Sequence, residues 1–319
     1  MIGIFDSGLG GFSVLREILK ILPEQSYVYY ADSANCPYGE KSKEFIIGRA
    51  RAITQLLLDK GADIIVVACN TATAAAIKTL RAEWPEVPFV GMEPAVKPAA
   101  LHTRSGVIGV LATAGTLKGG NYLDLREKYS ESVKVVEHVG RGFVEFVEKG
   151  VFDGPEVERT VRAAVEPLLA EGADTIVLGC THYPFLEAVI RRVAGPDIEI
   201  INPAPAVARQ TAKVLSDTAS IYASTGHQNP DCVAIGPSQA SLGPSPSVRP
   251  GVASGFTESI LMLSARAVGL QPAVARGFDC HVAVSDYGGI EVLSSGSAIP
   301  DEIIRRLLRA KWERSQLFF

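Results

Sequence analysis

The hydrophobic and polar positions of this chain alternate between two rhythms from residue 1 to about residue 215. Short apolar runs rich in Ile and Val, bounded by polar or turn-forming residues, predict strands at 1–5, 26–31, 63–68, 87–91, 106–111, 133–138, 174–179 and 198–201. Apolar residues at helical spacing predict helices at 11–22, 42–60, 72–82, 119–129, 142–150, 155–171 and 205–216, and 185–193 reads the same way. Strands that are apolar throughout fit parallel sheets covered on both faces, and their alternation with helices predicts a doubly wound α/β fold.

The pattern also repeats. Gly61-Ala62-Asp63-Ile64-Ile65-Val66-Val67-Ala68-Cys69-Asn70-Thr71 returns as Gly172-Ala173-Asp174-Thr175-Ile176-Val177-Leu178-Gly179-Cys180-Thr181-His182. Near the starts of the two halves, Ile2-Gly3-Ile4-Phe5-Asp6-Ser7 lines up with Ile108-Gly109-Val110-Leu111-Ala112-Thr113. Two related α/β domains are expected, 1–98 and 99–204, with a seam near Pro94 to Leu101. After about residue 218 the rhythm stops. Residues 219–255 are rich in Ser, Pro and Gly and read as a linker or long loop, so 231–319 is expected to form a linker and C-terminal extension. Within it, 256–268 looks helical, and Ile304, Leu307, Leu308 and Trp312 share one face of an amphipathic helix at the end.

Composition narrows the function without choosing it. With 47% hydrophobic and 21% charged residues the chain is an ordinary globular protein, and its net charge of −4 gives no sign of a nucleic-acid partner. No apolar run approaches the roughly 18 residues of a membrane span. The chain opens on the strand-like Met1-Ile2-Gly3-Ile4-Phe5 rather than on a signal peptide, so a cytoplasmic protein is expected. Cys36, Cys69, Cys180, Cys232 and Cys280 are odd in number and far apart, which predicts reduced thiols with no metal site.

Cys69 and Cys180 carry the candidate chemistry. Each lies in a strand-to-helix turn, at the carboxyl end of a strand where α/β sheets bind ligands. There the free N–H groups of a helix start favour thiolate, so both are expected to have lowered pKa values. Matched thiols in two related halves are what a pair of opposed acid/base groups needs. Ser7, Asn70, Thr71 and Thr181 stand in similar helix-opening turns, where N–H groups and hydroxyls can cradle carboxylates.

Four motifs stand in register: Phe5-Asp6-Ser7-Gly8-Leu9-Gly10-Gly11, Asp32 with Pro37-Tyr38-Gly39, Ala68-Cys69-Asn70-Thr71-Ala72, and Leu178-Gly179-Cys180-Thr181-His182-Tyr183-Pro184. In this order they resemble the glutamate racemase family over roughly residues 1 to 215. The resemblance implies two pseudo-symmetric α/β domains with the active site between them and a return segment, about 205–230, packed on the first domain. It also implies a homodimer, and racemisation of glutamate to supply D-glutamate for peptidoglycan without pyridoxal phosphate, nicotinamide or metal. Cys69 would take the α-proton from D-glutamate and Cys180 from L-glutamate. Asp6, His182 and Glu148 resemble the family's auxiliary catalytic groups. Asp6, Ser7, Tyr38, Gly39, Asn70, Thr71, Thr116, Thr181 and His182 resemble its substrate contacts, with Thr113 a further candidate. Departures from the family pattern occur at Gly140-Arg141-Gly142 and at Gly119. Some members carry an N-terminal extension that binds a peptidoglycan precursor as activator; here Asp6 ends a strand that begins at Met1, so activity without that activator is expected.

Three other readings compete. Gly8-Leu9-Gly10-Gly11 after a first strand hints at a dinucleotide fingerprint, but Ser13 stands where its last glycine belongs. Relatives of the family act on aspartate, hydantoins, maleate or malonates; the retained second cysteine argues against the single-thiol decarboxylases, and His182 leans toward glutamate. A non-catalytic binding protein on the same scaffold would have lost a cysteine.

Overall fold

In the computed structural model the eight predicted strands all form and sort into two sheets. The first holds β1 (Ile2–Asp6), β2 (Tyr27–Ala31), β3 (Ile64–Val67) and β4 (Phe89–Gly91); the second holds β5 (Val107–Ala112), β6 (Lys134–Val139), β7 (Thr175–Gly179) and β8 (Glu199–Ile201). Every pairing among these eight is parallel. The structure describes residues 1–225, 280–283 and 289–308. The helix expected at 256–268 and Trp312 lie outside the described residues. One compact unit comprises Met1–Thr218 with Cys280–Phe319; of the other, Ala219–Asp279, only the end of one helix is described.

Register explains why chemistry collects at one end of each sheet. Phe5 pairs with Val67 across β1 and β3, so the chain leaves both strands side by side, at Asp6-Ser7 and at Ala68-Cys69. In the second sheet Ala112 pairs with Gly179, which puts Thr113 and Cys180 at a common level. All residues of β1, β3 and β7 are buried, as strands covered on both faces must be. The helices relevant to the site are α1 (Phe12–Ile21), α2 (Lys43–Asp59), α3 (Asn70–Glu83), and, in the second half, Phe143–Glu148 and Glu187–Ala194. None of the described helices is long and apolar enough to cross a membrane.

The strands read from the sequence stop at residue 201, but the first sheet continues. β10 (Ile290–Ser295) adds to it in parallel with β2, and β9 (Cys280–Ala283) pairs antiparallel with β10. Ile290 and Val292 join the core cluster of Ile2, Tyr27 and Tyr29, while Glu291 pairs with Lys60 at 2.6 Å. The run is six residues with a polar end, cut short by Gly289 and Gly296 at positive φ, so its apolar signal is weak. Beyond it, the helix Asp301–Leu308 forms as its pattern predicts. Ile304, Leu307 and Leu308 are buried in the same cluster as Leu15 and Ile18 of α1. Its Arg306 lies over the Phe152 ring, 4.8 Å from the centroid, and donates to the carbonyl of Gly150 at 2.9 Å.

Candidate active site

β1 delivers Asp6 into the glycine turn that precedes α1. Its carboxylate is fully buried and pinned: Oδ2 accepts from the N–H groups of Gly8 (3.2 Å) and Gly11 (3.1 Å), and Oδ1 accepts from Thr181 Oγ1 (3.1 Å). Burial pushes the carboxyl up, with His182 and the two N–H groups opposing and Glu148 reinforcing. β3 delivers Cys69, which caps α3: its sulfur accepts from Ala72 N–H at 3.4 Å and lies 3.8 Å from Ser7 Oγ. The expectation of a lowered pKa fails here. Burial, followed by the nearby charge of Asp6, pushes the Cys69 thiol well above the usual range, and the N–H of the helix start does not offset them.

β7 delivers Cys180, also buried, with its sulfur 3.6 Å from His182 Nδ1. The other ring nitrogen, Nε2, is 2.7 Å from Glu148 Oε1, an oxygen that also accepts the N–H of Leu9 at 2.7 Å. Burial alone would lower the His182 pKa, but hydrogen bonds to Cys180, Cys36 and Glu148 outweigh it and hold the ring well above the ordinary histidine value. That shift favours the protonated ring, in which both nitrogens donate. The two thiols thus have different surroundings: a hydroxyl, a backbone N–H and the nearby Asp6 for Cys69, and the His182 ring for Cys180.

The glycines of the first turn are explained by this contact. A side-chain carbon on Gly8 would collide with the Glu148 carboxylate, and one on Gly10 with His182 and Thr181. What hinted at a nucleotide loop is the surface against which the second half presses its acid and its imidazole. Ser13, where the fingerprint fails, donates from Oγ to the carbonyl of Thr181 at 2.9 Å.

Between the sulfurs lies a narrow pocket. Of the residues expected at the site, Ser7, Tyr38, Gly39, Cys69, Asn70, Thr71, Thr113, Cys180, Thr181 and His182 line it, joined by Pro37 and Val144. Asp6, Thr116 and Glu148 stand behind this lining, each bonded to a residue that forms it. Thr71, Thr113 and Thr116 form a triangle of hydroxyls, 3.0 to 3.2 Å apart, that joins the two halves. Neither polar atom of the buried Asn70 amide has a partner. An orphaned amide on the pocket wall is what a polar ligand would satisfy. Among the described residues no lysine or arginine lines the pocket.

Sequence reasoning missed the support behind Tyr38. Asp32, fully buried, accepts from Tyr38 Oη (2.5 Å), Arg49 (2.9 and 2.8 Å), Asn35 (3.0 Å) and Ser295 Oγ (2.6 Å). Burial opposes ionisation, yet these donors prevail and hold the Asp32 carboxyl below the usual range. Arg49 is visible as a charge on a helix, but nothing in the sequence links Ser295 to Asp32, 263 positions away.

Known proteins resemble this arrangement closely. Residues 2–211 match the model of the Asp/Glu/Hydantoin racemase family. The glutamate racemase of Ectopseudomonas mendocina is 51% identical over 214 residues, covering 67% of this chain and 81% of that protein. Among solved structures, Escherichia coli glutamate racemase in complex with L-glutamate and the activator UDP-MurNAc-ala is 35% identical, with a TM-score of 0.63 over 67% of this chain and 82% of that one. The Francisella tularensis glutamate racemase in complex with D-glutamate is 28% identical, with a TM-score of 0.60 over 68% of this chain and 81% of that one. A two-domain α/β scaffold with a thiol from each half at one pocket, and half of its matched positions shared with a curated glutamate racemase, makes this chain an enzyme of the Asp/Glu/hydantoin racemase family, in its glutamate racemase branch.

Proposed function

We propose that the protein interconverts L- and D-glutamate by a two-base mechanism in which Cys69 and Cys180 face opposite sides of the substrate α-carbon. The observation that carries this reading is the pair of buried thiols, delivered by corresponding strands of two related halves to one pocket. For L-glutamate, Cys180 acts as thiolate and takes the α-proton while Cys69, a thiol, delivers a proton to the other face. For D-glutamate the roles reverse. The resting state suits the first direction: burial and Asp6 keep Cys69 protonated, and the imidazolium of His182 faces the sulfur of Cys180.

Glu148 positions that imidazolium, and Asp6 orders the turn that presents Ser7. Ser7, Asn70, Thr71 and Thr181 offer neutral donors to the two carboxylates, and the orphaned Asn70 amide gains partners on binding. Neutral donors leave the largest electrostatic gain for the carbanion, and preferential binding of the transition state is what accelerates the step. Thiols and hydroxyls complete this chemistry, so no pyridoxal phosphate, nicotinamide or metal is required. By family resemblance the enzyme works in the cytoplasm as a homodimer and supplies D-glutamate for peptidoglycan.

The test is to incubate the purified protein separately with L-glutamate, L-aspartate and a 5-substituted hydantoin and follow optical rotation. Loss of rotation with glutamate alone is expected. Turnover of aspartate or the hydantoin in preference to glutamate would refute the substrate assignment.

A further inference from the structure

Beside the catalytic pair the first half holds a third thiol, which takes no proton from the substrate and gives none to it. Cys36, half-buried and one residue before the pocket-lining Pro37, brings its sulfur together with a carboxylate oxygen of Glu148 and a ring nitrogen of His182, all within 4.8 Å of one another. Among the described residues this is the one such group of three potential metal ligands. We propose that Cys36, Glu148 and His182 form an inhibitory zinc site, at which Zn2+ takes the imidazole away from Cys180.

The donor set fits that ion. One thiolate, one imidazole and one carboxylate match the borderline-soft preference of zinc for S, N and O ligands, and three protein ligands leave a fourth position for water. Two negative ligands neutralise the ion, which lowers the cost of holding its charge in a partly buried place. His182 is buried, whereas Cys36 and Glu148 are partly exposed, so solvent reaches the group from their side. Binding converts the Cys36 thiol to thiolate, and that proton and the one on the liganding nitrogen of His182 pass to solvent.

Inhibition follows from geometry. Glu148 Oε1 now lies 2.7 Å from Nε2 and keeps the ring charged toward Cys180, 3.6 Å from Nδ1. A zinc ion between Glu148 and Nε2 replaces that hydrogen bond and pulls on the ring and the N–H of Leu9, which shares the same oxygen. Replacement of Cys36 removes the sulfur ligand, so the metal effect is read relative to each variant's own metal-free rate.

The experiment uses the full chain and Zn2+ alone. X-ray absorption at the zinc edge should find one sulfur with nitrogen and oxygen neighbours; two sulfurs would place the ion on Cys69 and Cys180 and overturn the site. This readout needs no turnover, so it fails separately from the racemase assignment. In parallel, the zinc concentration that halves turnover, measured against each variant's own metal-free rate, should rise by at least about tenfold in Cys36→Ser and Cys36→Ala. Equal inhibition of wild type and both variants, or no stoichiometric zinc in the wild type after equilibration at micromolar concentration, would overturn the proposal.

Discussion

In the proposed mechanism, two cysteines with matched positions do opposite work because their neighbours differ. Cys69 sits among Ser7, the Ala72 N–H and the charge of Asp6, whereas Cys180 faces an imidazolium held by Glu148. Cys69→Ala and Cys180→Ala should each lower racemisation by at least about 1,000-fold, since one face of the α-carbon then lacks its acid or base. Near-normal turnover in either variant would end the two-thiol account. Glu148→Gln removes the anion that helps keep His182 protonated, so the ring gives up its proton at a lower pH. The alkaline limb of kcat/KM should therefore move to lower pH in that variant, with a rate loss of roughly ten- to a hundredfold. An unmoved limb would show that the pair does not govern the profile. Most of this residue list was legible in the sequence, because strand ends followed by Cys, Ser, Asn and Thr announce a ligand-binding rim. The raised Cys69 pKa was not, since a helix start argues for thiolate and only the folded protein reveals how deeply the sulfur is buried.

At the scale of elements the glycine turn and β10 decide how well the rim is built. Gly10 has no space for a side chain between α1 and the Thr181-His182 turn, so Gly10→Ala must displace the imidazole and should cost catalysis more than stability. β10 works from behind: Ser295 donates to Asp32, which in turn holds the Tyr38 hydroxyl at the pocket wall. Ser295→Ala should destabilise the protein by about 2 kcal/mol, the usual worth of a hydrogen bond to a buried charge, and raise KM by loosening Tyr38. Denaturant unfolding and steady-state kinetics measure both. The pH dependence has a definite sign. A carboxyl whose folded pKa is lowered contributes stability above its unfolded value, about pH 4, and that contribution is lost as pH falls through the folded value. Removing the Ser295 donor raises the folded value, so acid unfolding of the variant should begin at a higher pH than in wild type. The eight parallel strands of the two halves were readable because most are runs of apolar residues bounded by turn signals, although β6 carries Lys134, Glu137 and His138. β10 was not, since six residues ending in two serines look like a loop when the stretch before them is rich in Ser, Pro and Gly.

Over the whole molecule the duplicated halves supply the thiols and the C-terminal region braces them. The helix Asp301–Leu308 buries Ile304, Leu307 and Leu308 against α1 and reaches the second half through Arg306 at Gly150 and Phe152. Ile304→Ala should cost about 2–5 kcal/mol, the range for a large-to-small change in a packed core. The sequence pattern leads to the expectation that residues beyond 270 can be deleted with the chemistry intact. The Ser295–Asp32 bond opposes it: deletion of 270–319 strips Asp32 of a donor and uncovers the edge of β2, so turnover should fall along with stability. The duplication itself was legible as a repeated Gly-Ala-Asp start and a repeated cysteine; the brace was not, because its contacts join positions with no shared pattern. The central claim is that two thiols exchange protons with opposite faces of one α-carbon. Its most direct measurement is proton NMR of L-glutamate and, separately, D-glutamate incubated with the enzyme in D₂O at low conversion. The product enantiomer should carry deuterium at Cα while the remaining substrate stays largely protiated, because the abstracting thiol and the delivering thiol are different groups. Substrate and product acquiring deuterium at equal rates from the first turnovers would contradict the account, since that pattern belongs to a single base serving both faces.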